Sequence, residues 1–176
     1  MTRTGIHRMG SATALGAALA LTLAQTAAAA PRVVADAQHF SIPAGEGCDF
    51  PITLDGSAGN LRMITLRAKK GDISRIIEVR TGVVLTYTRI LPDGTAGESI
   101  SFKTSGSVSQ IVTDARGIQT VTATGHNGLV LFSTDIPPTS ATQYTGKLVY
   151  TVNPATGVFQ LLSSANAGTD VCAALA

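Results

Sequence analysis

From Cys48 onward, apolar and polar residues alternate along the chain with a period of two. Cys48, Phe50, Ile52 and Leu54 are apolar, and Asp49, Pro51, Thr53 and Asp55 fall between them. That period sends successive side chains to opposite faces of a strand, one into a core and the other into water. It points Cys48 inward, and Pro51, which has no N–H to give, marks an edge strand or a position turned outward. Val83, Leu85 and Tyr87 repeat the pattern, as do Tyr144, Leu148, Tyr150 and Val152. Shorter candidates are 61–68, 73–80, 97–102, 108–113, 118–124, 129–132 and 158–162. Leu129-Val130-Leu131-Phe132 is apolar on both faces and predicts a central strand. The pattern amounts to about ten strands, and nothing in this region carries a helical period.

Turn chemistry separates these runs. Pro92-Asp93-Gly94 suits a turn, because proline fixes φ at the second position and glycine accepts positive φ. Asn127-Gly128 is a two-residue hairpin signal, and Asn153-Pro154-Ala155-Thr156-Gly157 suits a type I turn closed by a left-handed glycine. Lys70-Gly71-Asp72 and Ala115-Arg116-Gly117 mark two more turns. Many short strands spaced in this way predict an all-β fold, an antiparallel β-sandwich of Greek-key or immunoglobulin-like type, with a closed barrel as the alternative. Ile136-Pro137-Pro138-Thr139-Ser140 is the longest break and is expected to cross between sheets.

The first thirty residues read differently. Arg3 and Arg8 form a basic head, Ala12 to Leu23 an apolar run, and Ala27 to Ala30 a small-residue zone. That order is the signature of a secretory signal peptide, cleaved before Pro31. The apolar run falls short of the roughly 20 residues a membrane helix needs, so no span is expected. The expected organisation is therefore 1–30 signal peptide, 31–46 a linker or first edge strand, and 47–176 a single β-sandwich domain. A mature chain of about 146 residues is enough for one domain with a real core.

Removing the signal changes the charge. The chain carries 13 basic and 11 acidic residues, and Arg3 and Arg8 leave with the signal. The mature domain is then neutral, so the domain-wide basic footprint of a nucleic-acid binder is missing. Cys48 and Cys172 are the two cysteines. In an exported protein an even pair is most simply one disulfide, here closing almost the whole domain. Cys48 is not placed where a lipoprotein cysteine would stand, so the expectation is a secreted protein, released or loosely wall-associated.

Candidate chemistry is sparse. His39 lies before the first firm strand and His126 in a predicted turn, and neither has a His, Cys or Glu partner at ligand spacing. No G-x-S-x-G elbow, phosphate loop, dinucleotide fingerprint or EF-hand pattern occurs. Asp55, Asp72, Asp93 and Glu98 stand beside turn glycines, which accounts for them without a glycosidase pair. Tryptophan is absent, and alternation places Phe50, Tyr87, Tyr144 and Tyr150 on core faces, leaving few rings for sugar stacking. The reading is thus of no catalytic residues, no metal and no cofactor.

One asymmetry remains. Between Arg62 and Arg89 lie seven basic residues, Arg62, Arg67, Lys69, Lys70, Arg75, Arg80 and Arg89, against Asp72 and Glu78, a local charge of +5. Arg62, Lys69, Lys70, Arg80 and Arg89 are the candidate anion-binding face, with an anionic cell-wall polymer or an acidic protein as partner. The expected function is a non-catalytic exported domain that binds such a partner. The alternative is a secreted carbohydrate-binding or hydrolytic domain.

Two segments bring a likeness. Residues 123–138, Ala-Thr-Gly-His-Asn-Gly-Leu-Val-Leu-Phe-Ser-Thr-Asp-Ile-Pro-Pro, and 144–152, Tyr-Thr-Gly-Lys-Leu-Val-Tyr-Thr-Val, resemble segments of small exported proteins of high-GC Gram-positive bacteria. So do Thr156-Gly157, the ending Asp170-Val171-Cys172, and an early cysteine before a Phe-Pro pair, here Cys48 ahead of Phe50-Pro51. The resemblance implies export, β architecture and the cysteine pair, and brings no site with it.

Overall fold

The predicted alternation becomes antiparallel pairing of every named strand in the computed structural model, which describes residues 33–67, 73–104 and 106–176. Residues 1–30, expected to be a signal peptide, and Lys69 and Lys70, expected at a turn, lie outside the described residues. Strands and one short helix follow in the order β1 (Val33–Ala35), β2 (Gln38–Ile42), β3 (Ile52–Gly56), β4 (Gly59–Arg67), β5 (Ile73–Thr81), β6 (Val84–Ile90), β7 (Ala96–Lys103), β8 (Ser107–Thr113), β9 (Gln119–Thr124), β10 (His126–Leu131), β11 (Ser140–Thr145), β12 (Leu148–Val152), β13 (Phe159–Ser164), β14 (Thr169–Asp170) and α1 (Val171–Ala174).

The strands form three open sheets. One has seven strands in the order β1-β4-β5-β8-β9-β12-β13, one has four, β2-β3-β6-β7, and one has three, β10-β11-β14. Each sheet keeps two edge strands, so the barrel alternative does not hold. The segment before Cys48 supplies two of those edges, β1 and β2.

The three-stranded sheet buries both of its faces. Leu129, Leu131 and Tyr144 pack with Ala123 and Leu148 of the seven-stranded sheet. Ala141, with Val130 beside it, packs with Ile42, Ile52 and Tyr87 of the four-stranded sheet. Cys48, Val171 and Leu175 complete that second cluster. Cys48 and Cys172 are bonded, with Cα atoms 5.5 Å apart and a sequence separation of 124. In chain-entropy terms a loop that long stabilises by about 5 kcal/mol.

Four expectations change in detail. Leu129 to Phe132 is not central: β10 is an edge of the smallest sheet, and Phe132 is exposed. It reads as apolar on both faces because Leu129 and Leu131 face one neighbouring sheet while Val130 faces the other. Asn127-Gly128 is not a turn; both residues lie inside β10, and the chain reverses at Gly125, whose φ is +89°. The break 136–140 joins β10 to its own partner β11 rather than crossing sheets. It also touches the seven-stranded sheet: Ile136 donates to the Phe159 carbonyl at 3.0 Å and accepts from the Leu161 N–H at 2.8 Å, and buried Asp135 just ahead of it accepts the N–H groups of Phe132 (2.6 Å) and of Phe159 (2.7 Å). Finally, β3 begins at Ile52, so Cys48 is buried in the bend ahead of the strand.

A single helical turn, α1, follows β14. Asp170 caps it by accepting from Ala173 N–H at 3.0 Å. Four residues are too few to show a helical period, which is why the sequence pattern carries no sign of it.

Candidate functional site

Of the five residues of the predicted basic face, Lys69 and Lys70 lie outside the described residues, and Arg62, Arg80 and Arg89 separate. In an antiparallel pair, residues directly opposite share a face. Arg62 stands opposite Val79, and Arg80 opposite Leu61, so Arg62 and Arg80 point to opposite sides of the seven-stranded sheet. Arg89 belongs to β6 in the four-stranded sheet, opposite Ile52, and faces the core. Its guanidinium lies 4.4 Å from the centroid of the Phe50 ring and donates to the Leu175 carbonyl at 3.1 Å. Alternation carries the signal for this: the period that turns Leu85 and Tyr87 inward turns Arg89 inward too.

A basic surface nonetheless exists. β1 pairs with β4 at Gly59 to Leu61, and β8 pairs with β5 at Ile76 to Arg80. Among the described residues, β4 is therefore an open edge from Arg62 outward, and from Leu66 and Arg75 the β4–β5 pair extends beyond both flanking strands as a two-stranded ribbon. Side chains of β4 are exposed on both faces from Arg62 on, with Met63, Ile64 and Leu66 at 45%, 36% and 41% of full exposure. Arg62, Ile64 and Leu66 share one face, and Arg75, opposite Leu66, joins them. That face continues across the sheet through Val79, Val108, Thr122 and Val149, none of them buried.

The opposite face of the same sheet holds a second feature. Under the three-stranded sheet it is apolar and buried, at Val121, Ala123 and Leu148. Past the start of β10 it turns polar, presenting Glu78, Arg80, Ser107, Ser109 and Tyr150 to a cleft of about 240 Å³. His126, Asn127 and Gly128 of β10, with Val83, Leu85 and Thr104, form the other walls. Glu78 and Arg80 are i and i+2 on β5, on one face, and pair at 3.3 Å. Ser107 donates to the Asn127 side-chain oxygen at 2.6 Å, and Asn127 donates to the Thr124 carbonyl at 3.2 Å, which fixes that wall. Tyr150 stacks on Phe159 with centroids 5.9 Å apart. Its hydroxyl is pushed above its ordinary value, chiefly by burial and further by the Glu78 carboxylate, with Arg80 opposing. On the sequence pattern alone Arg80 belongs to a basic outer face and Glu78 is a charge opposing it; pairing register turns both to this side of the sheet beside Ser107 and Ser109.

A third arrangement lies on the outer face of the four-stranded sheet. His39, placed in β2 rather than in a loop, meets Asp55 at 2.6 Å through Nδ1, and its Nε2 lies 3.4 Å from Ser41 Oγ. The order is that of a Ser-His-Asp relay. The imidazole and carboxylate are 59% and 48% exposed, so water competes for each contact, and the Ser–His approach is long for a hydrogen bond. It is a cross-strand surface ladder, continued by Thr86–Ser101 at 2.8 Å and Thr88–Ser99 at 2.9 Å. Among the described residues no three His, Cys, Asp or Glu gather as metal ligands, and no helix is long and apolar enough to cross a membrane.

Comparison with protein-family models, with curated proteins and with solved structures gave no match. The ribbon and the cleft are therefore the candidate functional surfaces.

Proposed function

We propose that the chain is an exported, non-catalytic β-sandwich domain that holds to an anionic cell surface through the β4–β5 ribbon. Export is supported by the basic, apolar and small-residue order of the first thirty residues and by the Cys48–Cys172 bond. The sandwich reading is supported by the two apolar clusters on opposite faces of the three-stranded sheet. The binding reading is carried by one observation: Arg62 and Arg75 flank exposed Ile64 and Leu66 on one face of the β4–β5 ribbon, along the open edge of β4 and its projecting end. Basic residues beside exposed apolar ones suit an acidic lipid surface, where charge draws the ribbon in and apolar side chains enter the boundary. The chain has no tryptophan, so Ile64→Trp is a clean reporter. Its emission shifts to the blue on adding vesicles of acidic phospholipid and stays unchanged with neutral vesicles; no shift with either removes the proposal.

A second reading, a secreted carbohydrate-binding or hydrolytic domain, is favoured by the polar cleft that Glu78 and His126 both line.

A further inference from the structure

The cleft between the three sheets has a charge balance and a size that select its ligand. Glu78 and Arg80 neutralise one another at 3.3 Å, so the cleft offers no unopposed charge to a charged molecule. Both groups keep hydrogen-bonding capacity beyond that contact: the carboxylate has a second oxygen, and the guanidinium further N–H groups in its plane. A carboxylate and a guanidinium side by side present acceptors and donors together, the complement of neighbouring hydroxyls on one ring. Ser109, His126 and Tyr150 add further polar tips, and among the described residues none of their side chains is taken up in a hydrogen bond.

The remaining walls suit the less polar side of such a ring. Val83 and Leu85 are apolar, and Gly128 presents bare backbone. A Cβ at Gly128 would collide with the Tyr87 hydroxyl and stand 2.9 Å from Leu85 Cδ1, so the packing behind the cleft keeps this wall flat. Directly behind it, the Tyr87 hydroxyl and both polar atoms of the Gln143 amide are buried without a hydrogen-bond partner. At about 240 Å³ the cleft is smaller than the roughly 300–1,000 Å³ of sites for drug-sized ligands, so it accommodates one ring rather than an oligomer.

We propose that this cleft binds a single neutral, polyhydroxylated ring, a pyranose either free or at the end of a glycan, between Glu78–Arg80 and the Gly128 wall. This deepens the carbohydrate-binding reading above and is independent of the ribbon. Binding is weak, in the millimolar range, because one ring buries little surface and its hydroxyls must leave water.

The test is amide chemical-shift titration of the disulfide-bonded mature protein. The probes are the methyl glycosides of glucose, mannose and galactose, the three free sugars, N-acetylglucosamine, and two charged probes, glucuronate and glucosamine. The expected result is saturable shifts around residues 78–80, 107–109, 126–128 and 150 for at least one neutral probe, unchanged between 0.1 M and 1 M salt. A methyl glycoside binding as well as the free sugar identifies a glycan end as the target, and loss of binding on methylation identifies a free sugar. Glu78→Gln lowers affinity at least tenfold. Tyr150→Phe, which keeps the stack on Phe159, and Ser109→Ala each lower it about threefold. Arg62→Glu with Arg75→Glu leaves the titration as it is, so failure at the ribbon and failure at the cleft are read separately. Shifts produced only by the charged probes and abolished by salt overturn the proposal, as do no shifts with any neutral probe.

Discussion

The backbone N–H of Gly146 donates to the carbonyl of Gly125 at 2.8 Å, and at these two glycines the chain changes sheets. At Gly125 it leaves β9 of the seven-stranded sheet for β10 of the three-stranded one, and at Gly146 it returns from β11 to β12. Both have φ near +90°, a conformation in which a Cβ is strained. The edge of the small sheet, and with it the cleft, is therefore set by this glycine pair.

The two positions differ in what a side chain would meet. At Gly125 a Cβ would lie 2.5 Å from the Gly106 carbonyl oxygen, which is backbone, whereas at Gly146 it would meet the Ala165 Cβ at 3.3 Å. Gly146→Ala should cost about 1–2 kcal/mol, mostly for the left-handed backbone. Gly125→Ala should cost clearly more, on the order of 3 kcal/mol or above, since the backbone must also move. Urea unfolding of the two variants checks the order.

Arg89 is a structural residue, and its loss should be felt in stability. Arg89→Met keeps much of the stem but removes the contact over Phe50 and the bond to the Leu175 carbonyl. A cost of about 1–3 kcal/mol is expected from a charge-assisted hydrogen bond and a cation–π contact. Surface binding should be unchanged. Denaturant midpoints and vesicle sedimentation on the same variant separate the two effects.

Tyr87 sets an alkaline limit. Burial pushes its hydroxyl from the ordinary 10.0 up to about 12. The unfolded chain therefore loses this proton at lower pH than the folded chain does, and stability falls as pH rises from 10.0 to about 12. Two units correspond to about 2–3 kcal/mol. Tyr150, also raised, acts in the same direction. Tyr87→Phe should remove the larger share of the alkaline slope. Because the Tyr87 hydroxyl is buried without a partner, the variant should cost under about 1 kcal/mol at neutral pH. Thermal midpoints of both proteins across the alkaline range measure it.

The sequence made strands legible wherever alternation was local, and less so where it was interrupted. Turns at Gly94, Gly117 and Gly157 close as read, each with positive φ. The run from Tyr144 to Val152 keeps its period across Gly146, so two strands in different sheets looked like one. Asn127-Gly128 carries the composition of a turn, but here the glycine serves close packing beside Tyr87 and the asparagine braces Ser107. The site was harder still. A charge count places residues along the chain and not on faces, and it is pairing register that sends Arg62 outward, Arg80 into a cleft and Arg89 into the core. Glu78 and Ser109 gain their meaning from standing opposite one another on neighbouring strands.

The most direct test of the proposed function is co-sedimentation of the mature protein with acidic phospholipid vesicles from 0.1 M to 1 M salt, beside Arg62→Glu with Arg75→Glu. Both arginines are exposed, so their contacts are screened as the Debye length falls from about 10 Å to about 3 Å over that range. The account predicts that the wild type sediments at low salt and is released toward 1 M. It predicts that the double variant stays in the supernatant with an unchanged β-type circular dichroism spectrum. A wild type that never sediments with acidic vesicles, or a double variant that sediments equally well, contradicts it.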